Sequence, residues 1–127
     1  IVDKVFSPEE IMNLQDLVTR VPVSDHVLEY AIRLVRGSRP TDSSAPDFIK
    51  KWISWGAGPR ASQFLILGGK ARALLDGRYV ATCNDVRAIA KPILQHRIIT
   101  NFNAEAEGKT SLHVIDQLLD TIKEHSK

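Results

Sequence analysis

The apolar residues of this chain recur mostly at intervals of three and four, the spacing that gathers them on one face of an α-helix. Ser7-Pro8-Glu9-Glu10 opens the first such stretch. Ser7 is placed to cap, Pro8 suits the first helical position, and Glu10 completes a capping box. Ile11, Leu14, Leu17, Val18 and Val21 form the predicted inward face, and Pro22 ends the helix. Ser24 caps the second helix, where Leu28, Ala31, Ile32 and Val35 make one stripe with Val27 and Leu34 beside it. Gly37 is a natural stop. The Ser-, Pro- and Asp-rich stretch from Ser38 to Asp47 reads as the one long loop.

Asp47 to Trp55 is predicted to be a short helix with Phe48, Ile49, Trp52 and Ile53 inward, broken by Gly56-Ala57-Gly58-Pro59. Pro59 then starts a helix carrying Ala61, Phe64, Leu65, Ala71 and Leu75 on one face and ending near Gly77. Gly68 and Gly69 inside it each cost about 1 kcal/mol relative to alanine, which points to close packing against a neighbour. Thr82 and Asp85 are spaced as a variant capping box for a helix with Val86, Ile89 and Ala90, and Pro92 is expected to kink or restart it. A brief pairing of Ile98-Ile99 with Tyr79-Val80 is expected, and 101–109 reads as loop. Thr110 or Ser111 caps a last helix with Leu112, Ile115, Leu118, Leu119 and Ile122 inward; Lys123 and Lys127 near its end suit the dipole.

Five or six helices of moderate length, each with one apolar face, have to pack on one another. The fold class predicted is all-α, a small helical bundle with at most one very short two-stranded pairing, forming one domain over residues 1–127. Composition agrees: 43% of residues are hydrophobic and 25% charged, as in an ordinary globular domain. The net charge of +2 is too balanced for a binder of nucleic-acid backbone, which needs a basic stripe. No apolar run approaches a membrane span and no signal peptide opens the chain. One cysteine, Cys83, excludes an internal disulfide and fits a reducing, cytoplasmic setting. Because the first residue is Ile1 rather than methionine, the chain is expected to be a piece of a longer protein.

Most candidate chemistry dissolves on inspection. Gly108-Lys109-Thr110 resembles the end of a phosphate-binding P-loop, but the motif needs a glycine where Asn103 stands. Gly68-Gly69-Lys70-Ala71 lacks the hydroxyl residue and lies within a helix. His26, His96, His113 and His125 are scattered, without a Cys-x-x-Cys pair, so no metal site is predicted. Cys83 lacks an evident histidine partner and reads as inert. Glu9 with Glu10 suits a helix start, and Glu105 with Glu107 a loop; neither pair suggests an acid and a base. Trp52 and Trp55 read as core and edge packing.

One segment survives: Trp55-Gly56-Ala57-Gly58-Pro59-Arg60-Ala61-Ser62. Gly58 and Pro59 set up a helix start whose free amides favour an anion, and Arg60 in the first turn adds a planar fork that can hold two phosphate oxygens. The residues alone leave a plain alternative open, a solvated arginine at a helix start.

That segment resembles the lid motif of the MoxR family of AAA+ ATPases. Other stretches are similar to the same lid in the same order: Ser24-Asp25-His26-Val27-Leu28 with Leu34-Val35-Arg36, then Ala73 to Val80, Asp85-Val86-Arg87-Ala88, His96-Arg97-Ile98 and Ala104 to Gly108. The resemblance runs over about residues 5 to 122. It implies an AAA+ lid subdomain without the domain that binds and hydrolyses ATP, since the chain has no P-loop, no acidic magnesium strand and no arginine finger. It implies that Arg60 is the "sensor 2" residue, aimed by Gly58 and Pro59 at the terminal phosphates of ATP on an upstream core. ATP and Mg2+ then belong to the parent protein, as do hydrolysis, a chaperone-like role, a hexameric ring and partners carrying von Willebrand factor A domains. Gly68-Gly69 and Cys83-Asn84 depart from the family's alanine-rich and Pro-Glu patterns. The rival reading is a stand-alone helical module for protein or nucleic acid, drawing on Arg33, Arg36, Arg39, Lys50 and Lys51.

Overall fold

The computed structural model describes residues 2–124; His125 and Lys127 lie outside them. The described residues form helices α1 (Pro8–Thr19), α2 (Asp25–Gly37), α3 (Asp47–Trp52), α4 (Arg60–Leu75), α5 (Cys83–Leu94), α6 (Phe102–Ala106) and α7 (Ser111–Thr121). Two short strands, β1 (Ile53–Trp55) and β2 (Ile99–Thr100), complete the fold. The all-α class holds, with one small antiparallel pairing. The core is built where α2, α4, α5 and α7 meet. Tyr30, Leu34, Leu65, Leu94, Ile115 and Leu118 are completely buried there, and Ile49 of α3 joins the same cluster. Each such side chain contributes roughly 1.5–3 kcal/mol of transfer free energy.

Local signals set the helix starts. The hydroxyl of Ser7 accepts the Glu10 amide at 3.2 Å while the Glu10 carboxylate accepts the Ser7 amide at 3.3 Å, a closed capping box. Asp85 accepts the Thr82 amide at 2.8 Å, and Thr110 accepts the amide of His113 at 3.3 Å. Two ends need a left-handed residue: Gly77 (φ +74°) closes α4 and Gly108 (φ +70°) closes α6. At each, the next amide returns to a carbonyl one turn back, Arg78 to Ala73 at 2.9 Å and Lys109 to Ala104 at 2.8 Å, the Schellman arrangement. The P-loop look-alike Gly108-Lys109-Thr110 is therefore a helix stop followed by a helix cap.

Several expectations are corrected. The helix expected over 47–55 ends at Trp52, and Ile53–Trp55 becomes β1. The partner of Ile99 is this strand and not Tyr79-Val80: Ile53 pairs with Thr100 and Trp55 with Ile99 across a bulge. Tyr79 and Val80 face solvent instead, and the residue after them, Ala81, bridges to Val23. The 101–109 loop contains α6, whose start is capped by the Asn101 side chain accepting the Ala104 amide at 3.0 Å. Pro92 does not restart α5, which runs through it as one helix. The last turn of α7 carries no basic residue, because the helix stops at Thr121, before Lys123.

Helix α1 differs most from expectation. It has no buried residue: Ile11, Leu14 and Leu17 remain 45%, 44% and 46% exposed. Its apolar stripe exists, but the rest of the chain covers only part of it; periodicity reports a face and not what lies against it. Val21, just beyond α1, is the residue that is buried, in a small cluster with Ala73 and Ala81.

Gly68 does mark close packing. A Cβ there would sit 2.4 Å from Cδ1 of Ile89 on α5, whereas at Gly69 it would meet Val86 at an ordinary 3.5 Å. The junction of α4 and α5 also holds a buried carboxylate. Asp85, completely buried, accepts from Arg72 at 2.7 Å and from Arg78 at 2.8 Å, besides the Thr82 amide. These partners, Arg78 foremost, hold the Asp85 carboxyl well below the usual carboxylate range.

Candidate functional site

Arg60 opens α4 and is exposed. It forms no ion pair among the described residues, unlike Arg36, Arg72 and Arg78, each of which meets a carboxylate. The helix start it stands on is bare: no side chain caps it, and its first turn contains no acidic residue. Pro59 supplies φ −58°, already helical, and the turn tightens through the Ala61 amide bonding to the Gly58 carbonyl at 3.0 Å. The Ala61 and Ser62 amides are taken by the Gly58 and Pro59 carbonyls, so the attraction for an anion rests on the unpaired Arg60 guanidinium, on the helix dipole and on the lack of an acidic residue in the first turn.

The two glycines of the segment differ in their surroundings. Gly58 has open space around it and no left-handed backbone, so its lack of a side chain answers to nothing among the described residues. Gly56 is the one that cannot change: a Cβ there would lie 2.3 Å from the carbonyl oxygen of Ser38 and 2.6 Å from Cα of Arg39. The segment before Arg60 is thus pressed against the end of α2. Ser38, completely buried, accepts the Ala57 amide at 3.1 Å and donates to the Val35 carbonyl at 2.6 Å. Arg39 Nε donates to the Ala57 carbonyl at 2.7 Å. Neither Ser38 nor Arg39 is marked by sequence reasoning as part of this site; a serine and an arginine within a Ser-, Pro- and Asp-rich stretch look like loop.

A cleft of about 290 Å3 lies along this junction, between Arg39–Thr41 on one side and Ser54–Pro59 on the other. Trp55, 70% exposed, stands at it. The other tryptophan is structural: Trp52 is buried and donates from Nε1 to Glu107 at 2.6 Å, with Lys51 and Lys109 against its ring. Glu107 also receives Lys51 at 3.1 Å, and these donors, Trp52 first, hold its carboxyl below the ordinary range. Glu105 and Glu107 are therefore not an acid–base pair. A second, more apolar groove begins at Ser62 and Gln63 in the first turns of α4 and runs past Leu28, Ile32 and Ile66 to Thr19.

The remaining candidates are placed plainly. Cys83 is buried, and burial pushes its thiol up, away from the reactive thiolate. Among the described residues no group of three or more His, Cys, Asp or Glu could hold a metal ion, and no helix is long and apolar enough to cross a membrane. Most of the basic residues invoked for a nucleic-acid surface are engaged within the fold. Arg33 donates to the Glu124 carbonyl at 2.7 Å, Arg36 pairs with Asp42 at 3.1 Å, Arg39 holds Ala57 and Lys51 holds Glu107.

Comparisons with known proteins show the family and the fold. A family model described as the AAA lid domain matches residues 48–118, more than half of the chain and all of the Trp55–Ser62 segment. "Chaperone MoxR1" of Mycobacterium tuberculosis is 27% identical over 94% of this chain, and protein YeaC of Bacillus subtilis 25% identical over 96%. The crystal structure of a candidate ATPase from Cytophaga hutchinsonii superposes on 91% of the chain with a TM-score of 0.83 at 29% identity. The chain spans about a third of the length of each: 32% and 35% of the two curated relatives and 35% of the solved chain.

Proposed function

From the premise that this chain belongs to the AAA lid domain family and is a MoxR-type lid, we propose that it covers ATP held by a separate core domain and senses the terminal phosphates through Arg60. The observation that carries this reading is the bare start of α4, where Arg60 stands exposed without a carboxylate partner among the described residues. A guanidinium left unpaired at an uncapped helix start contributes little to the lid's own stability; it becomes useful when a polyanion arrives. Gly58 and Pro59 line the approach: the open space at Gly58 lets another surface come close to the backbone, and Pro59 fixes the direction of the first turn.

The lid supplies binding and positioning only. The described residues offer no ligand set for magnesium, so Mg2+ and the hydrolytic groups belong to the core in this reading. Loss of the terminal phosphate removes the partner of Arg60, and the difference in contact between the two states is what moves the lid. Coupling of that movement to chaperone-like remodelling follows the relative described as a chaperone. Assembly into a ring, hexameric by resemblance, and partners with von Willebrand factor A domains extend the same reading.

The test is Arg60→Ala in the polypeptide that joins this lid to its nucleotide-binding core. Turnover should fall by roughly 10- to 100-fold, the loss of one charge-assisted hydrogen-bonding group, with a smaller change in nucleotide affinity. Unchanged turnover overturns the assignment.

A further inference from the structure

We propose that Arg39, together with Ser38, positions Arg60: the end of α2 aims the sensing arginine through the backbone of Ala57. This rests on the reading of Arg60 given above.

The first turn of α4 lacks a capping side chain and is tied only to Gly58 and Pro59, whose carbonyls accept the Ala61 amide at 3.0 Å and the Ser62 hydroxyl at 2.7 Å, so its direction is inherited from the segment before it. What precedes it is fixed on every side. Ala57 is completely buried, and both of its backbone polar groups are taken by side chains of consecutive residues at the end of α2: its amide by Ser38 Oγ at 3.1 Å, its carbonyl by Arg39 Nε at 2.7 Å. Ser38 is anchored in turn to the last turn of α2 through the Val35 carbonyl at 2.6 Å. Gly56 lies flat on the Ser38 carbonyl, with no room for a Cβ. Between this fixed point and Arg60 stand only Gly58, free of neighbours, and Pro59, whose ring sets its own φ.

Arg39 differs from its neighbour Arg36 in the use of its charge. Arg36 is neutralised by Asp42 at 3.1 Å, whereas Arg39 meets a neutral carbonyl and no carboxylate among the described residues. Two guanidinium groups without counter-charge thus flank one short segment, Arg60 exposed at the helix start and Arg39 turned onto the backbone that leads to it. A residue needed only to stabilise the loop could use a neutral donor in its place. A shift of α2 would reach Arg60 through a hydrogen-bonded path rather than through a flexible loop, which makes the end of α2 the place where lid rotation and phosphate contact are coupled.

A double-mutant cycle in the full-length ATPase tests this. Arg60→Ala, Arg39→Ala and the pair are compared by turnover at saturating ATP, with thermal unfolding as a check on folding. Arg39→Ala should lower turnover by about 3- to 10-fold, and added to Arg60→Ala should cause no further loss beyond about twofold, since both remove the same contact. Arg39→Lys, which keeps a charged donor, should recover part of the loss. Two losses that multiply, or an Arg39→Ala protein with normal turnover, overturn the proposal while leaving the role of Arg60 intact. If Arg60→Ala itself leaves turnover unchanged, the reading beneath it falls and this inference with it. Should Arg39→Ala fail to fold, Ser38→Ala takes its place in the cycle: a loss absorbed by Arg60→Ala supports the coupling, and a multiplying loss or normal turnover overturns it.

Discussion

The carbonyl oxygen of Ser38 lies where a side chain on Gly56 would have to begin, 2.3 Å from the ideal Cβ position. The obstacle is backbone at the end of a helix, so no rotamer change relieves it. Gly56→Ala is therefore expected to destabilise the chain by about 2–3 kcal/mol, as overpacking against unyielding structure does. Gly58→Ala, two residues on, has open space and an ordinary backbone, and should stay within about 0.5 kcal/mol of the parent. Urea unfolding of the two variants checks both; equal effects would mean that the segment is not seated on α2.

The Asp85 carboxylate joins α4, the turn after it and α5 through Arg72, Arg78 and the Thr82 amide. Asp85→Asn should cost about 3 kcal/mol, the low end for breaking a buried ion pair, because both arginines remain partly in water. The acid dependence follows in sign. The folded carboxyl titrates below its unfolded value of about 3.9, so the unfolded chain binds the proton first, and the stabilisation present above that pH is lost as pH falls below it. Asp42, held down chiefly by Ser44, and Glu107, held down chiefly by Trp52, add to the same slope. The difference between parent and Asp85→Asn unfolding curves, measured from pH 6 to pH 2 (about the range that brackets the carboxylate pKa), isolates the Asp85 share, and parallel curves would refute it.

What could be read from the chain follows the range of the forces involved. Caps at Ser7, Thr82 and Thr110 are decided within four residues, and each forms as the spacing suggests. Arg60 stands out in the sequence because its motif is contiguous, and the fold leaves it exposed at the start of α4. The end of α3 is not, since Ile53 and Trp55 fit a helical stripe as well as a strand, and a short apolar run cannot separate the two. The decision comes from Ile99 and Thr100, far along the chain. Helix α6 carries one local signal that is easily passed over, the asparagine at position 101 that caps it. Ser38 and Arg39 carry none: their significance arises from Ala57, 19 and 18 residues away, and exists only once the chain is folded.

Gly68 and Gly69 are adjacent in α4 yet face different neighbours, and substitution should separate them. Alanine at 69 gains about 1 kcal/mol of helix propensity and meets Val86 at an ordinary 3.5 Å, so Gly69→Ala should raise stability by about that amount. Alanine at 68 would stand 2.4 Å from Cδ1 of Ile89 and 3.1 Å from Cδ1 of Ile93. Ile89 has to swing aside, which offsets the gain and leaves Gly68→Ala between neutral and about 2 kcal/mol less stable. Thermal melts of the two single variants decide it; equal gains would show that α4 and α5 are not in close contact at Gly68.

Helix α1 supplies the sharpest contrast between an apolar pattern and actual burial. Leu14 keeps 44% of its surface in water although it stands on the apolar stripe, while Leu118 in α7 has none. The transfer term scales with the area removed from water, and a cavity term arises only where surrounding atoms enclose the lost methyl groups. Leu14→Ala should therefore cost less than about 1 kcal/mol in this chain, against about 2–5 kcal/mol for Leu118→Ala. Amide exchange should rank the same way, fastest in α1 and slowest in the buried helices, because a helix held by few buried contacts opens without global unfolding. Denaturant unfolding of both variants is the check. A large loss at Leu14 would mean that α1 is packed against something in solution beyond the contacts the fold itself provides, and the partly bare stripe Ile11-Leu14-Leu17 is where that contact would be sought.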